Sequence, residues 1–357
     1  MALSRISVVA SMVFLASVAR MSTAAAEPNV VVTIKPLHSL VSAVMKGAGY
    51  PKLLLESNQS PHSFSLKPSQ AGMLQNADAI VWVGPGLESF LEKSLTSIAP
   101  NAKSIEMMET PGLHHLEANE HEHNDHDEEK KEHADHDDHD DHKDEHVEHD
   151  DHDDHKDEHA EHDDHDDHKD EHAEHDDHDD HASDEAGRNV HIWLDPENAR
   201  AMVKNVAEQL AALDPGNADL YRKNAASSQE QLSTLIKEVS GELSAVKGTK
   251  FMAFHDAYGH FEHRFGMESA GSLTINPEVS PGAKRLSELR TRVKSENIKC
   301  VFSEPQFDAG AWTAVIENSD LNLGVVDPLG VELTPGPDMY YQLIRGVAGS
   351  LKTCLSK

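Results

Sequence analysis

Val30-Val-Val-Thr-Ile-Lys-Pro36 is a run of mostly β-branched and apolar residues, and a helical pattern follows it over residues 37–46 and ends at Gly47. A continuous run of this kind is typical of a strand that is buried on both faces of a parallel sheet. The order of strand and then helix recurs along the first part of the chain, with further strands predicted at 52–56, 79–83 and 103–107. Alternation of this kind favours a parallel sheet with helices on both faces.

The last third of the chain repeats this order. Strands are predicted at 250–254, 268–274, 299–304 and 322–326, and helices between and after them. We therefore predict an α/β fold of two lobes, each with a parallel four-stranded sheet flanked by helices.

A long helix is predicted between the two lobes, over about residues 218–247. Its apolar residues recur with helical spacing along one face: Leu220, Leu232, Leu235, Ile236, Val239 and Leu243. At this length the helix measures roughly 45 Å. We interpret it as a rigid backbone helix that joins the lobes.

The first 26 residues have the pattern of a signal peptide. Arg5 precedes an apolar run over residues 6–19, and Ala24-Ala-Ala26 offers a small-residue cleavage site. We predict a signal peptide at 1–26, and hence export to the periplasm. The remaining divisions are an N-terminal lobe (27–113), a disordered loop (114–187), the end of the N-terminal lobe (188–216), the linking helix (217–248) and a C-terminal lobe (249–357).

The segment from Asn119 to Ala182 is almost wholly His, Asp, Glu and Lys, and we call it the His-rich run. The stretch 117–185 holds 36 acidic residues against five lysines, so all but −2 of the net charge of −33 lies there. A 13-residue repeat starts at Lys143, Lys156 and Lys169. Because it has almost no apolar content, the segment is predicted to be disordered without metal. Its many imidazoles and carboxylates are predicted to collect metal ions weakly, although a solvated spacer remains an alternative.

Four single residues outside this run carry the predicted metal site: His62, His191, His255 and Asp327. Ligands of α/β sheets bind beyond the carboxyl ends of the strands. His62, His255 and Asp327 follow predicted strands, and His191 precedes the first helix of the connection. We expect the four to meet at one rim, in a cleft between the lobes.

The types of these side chains indicate the metal. Three imidazoles with at most one carboxylate favour zinc in a four-coordinate site, with Asp327 or water as the fourth ligand. Asp256, Asp195 and Glu304 are candidates for the hydrogen-bond partners of the imidazoles. His38, His260 and His263 are interpreted as structural. His260 and His263 are three residues apart on a predicted helix and could form a weak second site, although a solvated helix face is favoured for them.

The exported chain keeps two cysteines, Cys300 and Cys354. An even number of cysteines in an exported protein favours a disulfide. Two separate buried thiols are the alternative.

The motifs around these residues resemble those of the periplasmic zinc-binding receptors of bacterial ABC importers. They are Ser60-Pro-His-Ser-Phe-Ser-Leu-Lys-Pro-Ser69, Trp82-Val-Gly84, His191-Ile-Trp-Leu-Asp-Pro196, Phe254-His-Asp-Ala-Tyr258 and Val326-Asp-Pro-Leu-Gly330. The resemblance covers essentially the whole exported chain. It implies two α/β lobes on a backbone helix, little lobe closure, and delivery of Zn2+ to an inner-membrane ABC permease.

The resemblance also implies roles for single residues. The histidine ligands of the family correspond to His62, His191 and His255, and manganese members have Glu where His255 stands. Some zinc members have Glu directly before the first histidine, where this chain has Pro61, and this difference favours Asp327. A disulfide near the C-terminus, as many members have, corresponds to Cys300 and Cys354.

Other functions remain as alternatives. The chain could be a periplasmic zinc buffer or chaperone, or a receptor for Mn, Ni or Cu. A zinc hydrolase is disfavoured, because no HExxH pair is present and no general base is evident beyond Glu304. Clustered basic residues of the kind that bind nucleic acid are not found in the sequence, so we expect no nucleic-acid partner. We also expect the protein to be a monomer and not an enzyme.

Overall fold

The computed structural model describes residues 27–56, 59–118, 187–274, 276–307, 310–316 and 320–357. The predicted signal peptide and the predicted disorder of the His-rich run lie outside the described residues. Within them, two parallel four-stranded sheets confirm the predicted fold class.

The first sheet has the strand order β2-β1-β3-β4, so β1 and β3 are central. All three residues of β1 are buried, as expected for a strand with helices on both faces. The elements of this lobe are β1 (Val30–Val32), α1 (Lys35–Met45), β2 (Lys52–Leu53), α2 (Pro68–Gln75), β3 (Ala79–Trp82), α3 (Ser89–Ile98) and β4 (Lys103–Glu106).

Two helices connect the first sheet to the second: α4 (Pro196–Leu213) and α5 (Ala218–Leu243). A short 3-10 turn, Ser244–Val246, continues α5, which confirms the predicted long helix. At the start of α4 the Asp195 carboxylate accepts a hydrogen bond from the backbone N–H of Glu197 at 2.8 Å, which caps the helix. No helix in the described ranges is both long enough and apolar enough to cross a lipid bilayer.

The second sheet has the order β6-β5-β7-β8, which repeats the topology of the first. Both lobes therefore place the carboxyl ends of their two central strands at an equivalent rim. The elements are β5 (Phe251–His255), α6 (Gly259–Phe265), β6 (Ser269–Thr274), α7 (Ala283–Ser295), β7 (Cys300–Ser303), α8 (Gly310–Ile316), β8 (Asn322–Val325) and α9 (Met339–Leu355).

One hydrophobic cluster runs through both lobes. It joins the first sheet, α1, α4, α5 and α9 to buried side chains of β5 and β7, such as Phe251 and Phe302. A second and smaller cluster covers the opposite face of the second sheet, where Met252 and Val301 pack with Leu289 of α7 and Trp312 of α8. The two sheets are thus parts of one packed body rather than two independent cores.

Cys300 and Cys354 form a disulfide, as predicted, with their Cα atoms 6.0 Å apart. It ties β7 to α9 and closes a loop with a sequence separation of 54. A loop of this length corresponds to roughly 4 kcal/mol of stabilisation in the chain-entropy model.

Candidate metal centre

Three imidazoles meet at the rim of the two sheets. One nitrogen from each of His62, His191 and His255 lies within 4.8 Å of the others, and no other group of three metal-binding side chains occurs among the described residues. The ring centroids of His191 and His255 are 5.1 Å apart, and that of His62 lies 5.4 Å and 5.9 Å from these two.

Each imidazole is supplied by a different part of the fold. His255 is the last residue of β5, at the carboxyl end of a central strand. His191 directly precedes a 3-10 turn, Ile192–Leu194, that leads into α4. His62 lies in the loop between β2 and α2, where its backbone N–H donates to the Ser60 hydroxyl at 3.3 Å. The first lobe and the second lobe therefore both contribute to the cluster.

The buried carboxylate of Glu304 fixes the orientation of His255. Glu304 Oε1 lies 2.8 Å from His255 Nδ1, and a carboxylate that is ionised can only accept a hydrogen bond. With its proton on Nδ1 toward this carboxylate, the neutral ring has its lone pair on Nε2. Glu304 was one of the three candidates that the sequence offered for this role.

His191 presents the same nitrogen. Its Nδ1 lies 3.1 Å from Asn189 Oδ1, and its Nε2 lies 3.2 Å from His255 Nε2. Two nitrogen ligands of a tetrahedral zinc ion, at about 2.0–2.1 Å from the metal, stand roughly 3.3 Å from each other. The spacing of the two Nε2 atoms is close to this value.

The environment keeps two of the imidazoles neutral. Burial, and after it the neighbouring His255, lower the pKa of His62 to about 4. Burial, and after it His255 and His62, hold the pKa of His191 well below its usual range. Neutral imidazoles are the form that binds metal ions, so the cluster is ready for a cation at neutral pH.

The cavity between the rings is small. Its volume is about 10 Å³, which is room for one water-sized species, and Ser60, Pro61, Trp193, Phe307 and Leu329 help to line it. Sites for organic solutes usually measure about 300–1,000 Å³. The geometry therefore suits a single ion.

Asp327, the fourth predicted ligand, does not belong to this cluster. Its Oδ1 accepts hydrogen bonds from the backbone N–H groups of Leu329 and Gly330 and from Gln306 Nε2, and its Oδ2 accepts from the backbone N–H of Val331 at 2.6 Å. Gly330 has φ +68°, a left-handed conformation that glycine adopts readily and that orients this turn. The carboxylate thus closes its own turn instead of facing the imidazoles.

The other two partner candidates have different roles. Asp195 forms a double hydrogen bond with Arg264 of α6, at 2.6 Å and 2.8 Å, besides capping α4. Asp256 offers its backbone carbonyl to Asn189 at 3.4 Å. The sequence analysis did not identify Asn189 as a partner of His191. An Asn side chain can form a hydrogen bond with the backbone two residues further on, so its position before His191 was the available signal.

The other histidines for which the sequence made a prediction, His38, His260 and His263, are separate from the cluster. His260 is structural, as predicted, but the solvated helix face predicted for it is wrong, because His260 is 1% exposed and its Nε2 lies 3.0 Å from the Asn189 carbonyl oxygen. The inner face of α6 packs on the segment around His191, and this packing buries the His260 side chain. His263 is exposed, as predicted, and its ring stacks on that of His114 at 4.3 Å. His38 is buried, with Nε2 3.0 Å from the carbonyl oxygen of Pro51.

Comparison with known proteins supports the same family at the level of sequence. The family model described as "ZnuA: Zinc-uptake complex component A periplasmic" matches residues 30–354. The chain is 45% identical over 347 residues to the high-affinity zinc uptake system protein ZnuA of Brucella suis biovar 1 (strain 1330), covering 96% of each chain.

Solved structures share the fold. The structure described as "Crystal structure of ZnuA" has a TM-score of 0.66 at 20% identity and is matched over 99% of its length and 92% of this chain. FpvC of Pseudomonas aeruginosa in complex with Mn2+ also has a TM-score of 0.66, at 17% identity, covering 97% of that chain and 92% of this one. The fold alone therefore does not select the metal. The family model and the Brucella relative do show the family, and this chain belongs to the zinc-uptake complex component A family of periplasmic proteins.

Proposed function

We propose that this chain is a periplasmic receptor that captures Zn2+ in the cleft between its lobes and delivers it to an inner-membrane ABC permease. The observation that carries the proposal is the cluster of His62, His191 and His255 around a space the size of one ion. Family membership supports the transport role and the periplasmic location.

The donor atoms favour zinc over manganese. Mn2+ prefers oxygen ligands, whereas neutral imidazole suits zinc, copper and nickel. Copper and nickel are therefore the competitors that a binding experiment has to include, and a receptor for one of them is the alternative within this class.

We propose that water takes the fourth coordination position of the bound zinc ion, or that a group of the receiving permease takes it during transfer. The four hydrogen bonds that Asp327 accepts hold its carboxylate in the turn 327–331. Lys35 Nζ strengthens this arrangement by donating to the carbonyl oxygens of Gly330 and Leu333 at 3.4 Å each. An open coordination position lets a new ligand attack the metal before the old ligands leave, which suits a protein that gives its cargo away.

A three-histidine zinc site with an open position is also a catalytic arrangement. Here the space beside the imidazoles holds about one water molecule, so a single donor group fits next to the metal but an extended organic substrate does not. A transport receptor is the better account of this geometry.

Two parts of the proposal rest on sequence alone. The predicted signal peptide at 1–26 would direct export, and the His-rich run would collect zinc near the cleft. The run would be an accessory, and a zinc buffer in which the run binds more tightly than the cleft is the competing view.

A competitive zinc titration tests the proposal. We expect one tight equivalent in the whole chain, which disappears when His62, His191 and His255 are all changed to Ala. His263→Ala is the control, because this histidine is exposed and lies outside the cluster. Tight binding that survives in the triple variant would place the main site elsewhere. Tighter binding of copper or nickel than of zinc, at the free concentrations of these ions in the cell, would mean that the transported ion is not zinc.

A further inference from the structure

We infer that Asn189 is a positioning residue of the zinc site, which sets the orientation of His191 and holds it next to the strand end that carries His255. The inference rests on the proposed function, because it concerns how the site reaches its affinity. Asn189 is 4% exposed and lies two residues before His191.

The side-chain oxygen of Asn189 faces His191. Oδ1 lies 3.0 Å from the backbone N of His191 and 3.1 Å from its Nδ1. A backbone N–H can only donate, so the amide atom that it meets must be the oxygen. The same oxygen then requires a proton on Nδ1, and Nε2 is left with its lone pair toward the cavity.

The other end of the side chain reaches the second lobe. Asn189 Nδ2 donates to the backbone carbonyl of Asp256 at 3.4 Å, and Asp256 directly follows His255 in the chain. The backbone carbonyl of Asn189 accepts from His260 Nε2 of α6 at 3.0 Å, and its backbone N–H donates to Leu116 at 2.8 Å. One buried residue therefore contacts one zinc ligand and the backbone beside another.

These contacts hold the His191 ring so that its Nε2 lies 3.2 Å from His255 Nε2, and the site depends on this spacing. Without the Asn189 oxygen, His191 can rotate about its side-chain bonds and can carry its proton on either nitrogen. Glu304 performs the corresponding task for His255, so the two ligands have matched partners, one neutral and one charged. Loss of such a partner typically weakens metal binding by about 10–100-fold.

Asn198 offers a matched control. It is another buried asparagine, 1% exposed, and it exchanges hydrogen bonds with the backbone of His114 at 2.8 Å and 3.0 Å. It also donates to the backbone carbonyl of Ile192 at 3.3 Å, and its Nδ2 lies 3.5 Å from His260 Nδ1. Its replacement should disturb the same region without releasing His191.

The experiment measures zinc affinity of the whole chain by competition with a chelator, for wild type, Asn189→Ala, Asn189→Asp and Asn198→Ala. We expect Asn189→Ala to bind about 10–100-fold more weakly and Asn198→Ala to stay within about threefold of wild type. Asn189→Asp keeps an oxygen acceptor for His191 and should recover most of the lost affinity. Equal losses in Asn189→Ala and Asn198→Ala, no loss in Asn189→Ala, or no recovery in Asn189→Asp would each overturn the inference.

Long-range proton–nitrogen NMR of the metal-free protein provides the second readout, because it reports which ring nitrogen of His191 carries the proton. A purely structural role of Asn189 would leave this tautomer unchanged. His191 should carry its proton on Nδ1 in wild type and in Asn189→Asp, and a mixture should appear in Asn189→Ala. If Asn189→Ala does not fold, the wild-type spectrum decides, because a proton on Nε2 contradicts the inference. If the wild-type protein does not bind zinc tightly, the proposed function itself is wrong, whatever the role of Asn189.

Discussion

The buried cluster and the His-rich run use the same side chain in opposite settings. The cluster has three histidines, two of which have side-chain partners, and a cavity for one ion, whereas 19 of the 27 histidines of the chain lie in the run. In the cluster, folding has already ordered the imidazoles, so little entropy is lost when the ion binds. The composition of the run offers almost no apolar side chains with which a fixed site could be built. The contrast teaches that tight zinc binding depends on the fixed orientation of a few imidazoles, whereas the number of weakly bound ions depends on how many imidazoles are present.

The largest effect should follow from removing one ligand of the cluster. Changing His255 to Ala leaves two imidazoles and should weaken the tight site by about 1,000-fold, since loss of a mere hydrogen-bond partner already costs about 10–100-fold. A chelator competition with zinc measures it. His263→Ala should leave the affinity unchanged, and an equal loss in both variants would mean that position in the fold does not matter.

A smaller effect is expected when only the orientation is disturbed. Glu304→Gln keeps an acceptor for His255 Nδ1 but removes the charge, so the affinity should fall by about 10-fold. The visible spectrum of the Co2+ form should remain that of a four-coordinate site. If the affinity does not change, the partners of the cluster are not what separates it from the run.

Acid should separate the two regions further. The pKa of His62 is about 4 and that of His191 is well below its usual range, so protons on these two imidazoles should not compete with zinc between pH 7.5 and 5.5. Exposed imidazoles titrate near 6.5, so weak sites in the run should lose about 10-fold in affinity per pH unit below that for each imidazole that binds. Zinc titrations of the whole chain at several pH values would show tight and weak equivalents diverging. Parallel losses would contradict the lowered pKa values.

The same shifts predict how the metal-free protein responds to acid. Buried histidines that stay neutral bind fewer protons in the folded state than in the unfolded chain between about pH 4 and 6.5. Stability is therefore full above about pH 6.5 and falls as the pH drops toward 4. Thermal unfolding without zinc at pH 7.5 and 5.5 measures this loss, and zinc should reduce it.

The smallest effect on the tight site should come from deleting the run. Removal of residues 119–182 should abolish the weak equivalents and leave the affinity of the cluster within about twofold, because distant and independent sites usually act additively. Loss of the tight site in this variant would mean that the run, and not the cluster, is the principal binder.

Much of the architecture was predictable from local patterns. The buried run at Val30 and the apolar face of α5 each reflect a single strong driving force, the burial of apolar side chains at a fixed spacing. Convergence of His62 and His255 was expected from topology, because both follow strands whose carboxyl ends share a rim, whereas His191 reaches the same rim from the segment before α4.

The finer features of the site were not predictable in this way. Asp327 faces its own turn because the left-handed Gly330 directs backbone N–H groups toward it, and this competition between a turn and a metal depends on angles that spacing does not carry. His260 is buried because α6 packs on a segment that is distant in sequence. Asn189 was overlooked because a neutral amide has no charge or metal affinity to mark it.

The hydrophobic cluster that joins both sheets has a mechanical consequence. A rotation that parted the lobes would shear the packing of α1, α4, α5 and α9 and expose their apolar side chains to water. The spacing of the sheets should therefore hardly change between the empty and the loaded molecule. A transporter that docks on this protein would have to sense cargo from small rearrangements at the cleft rim, such as the loop that carries His62, and could not use a change of hinge angle as the signal.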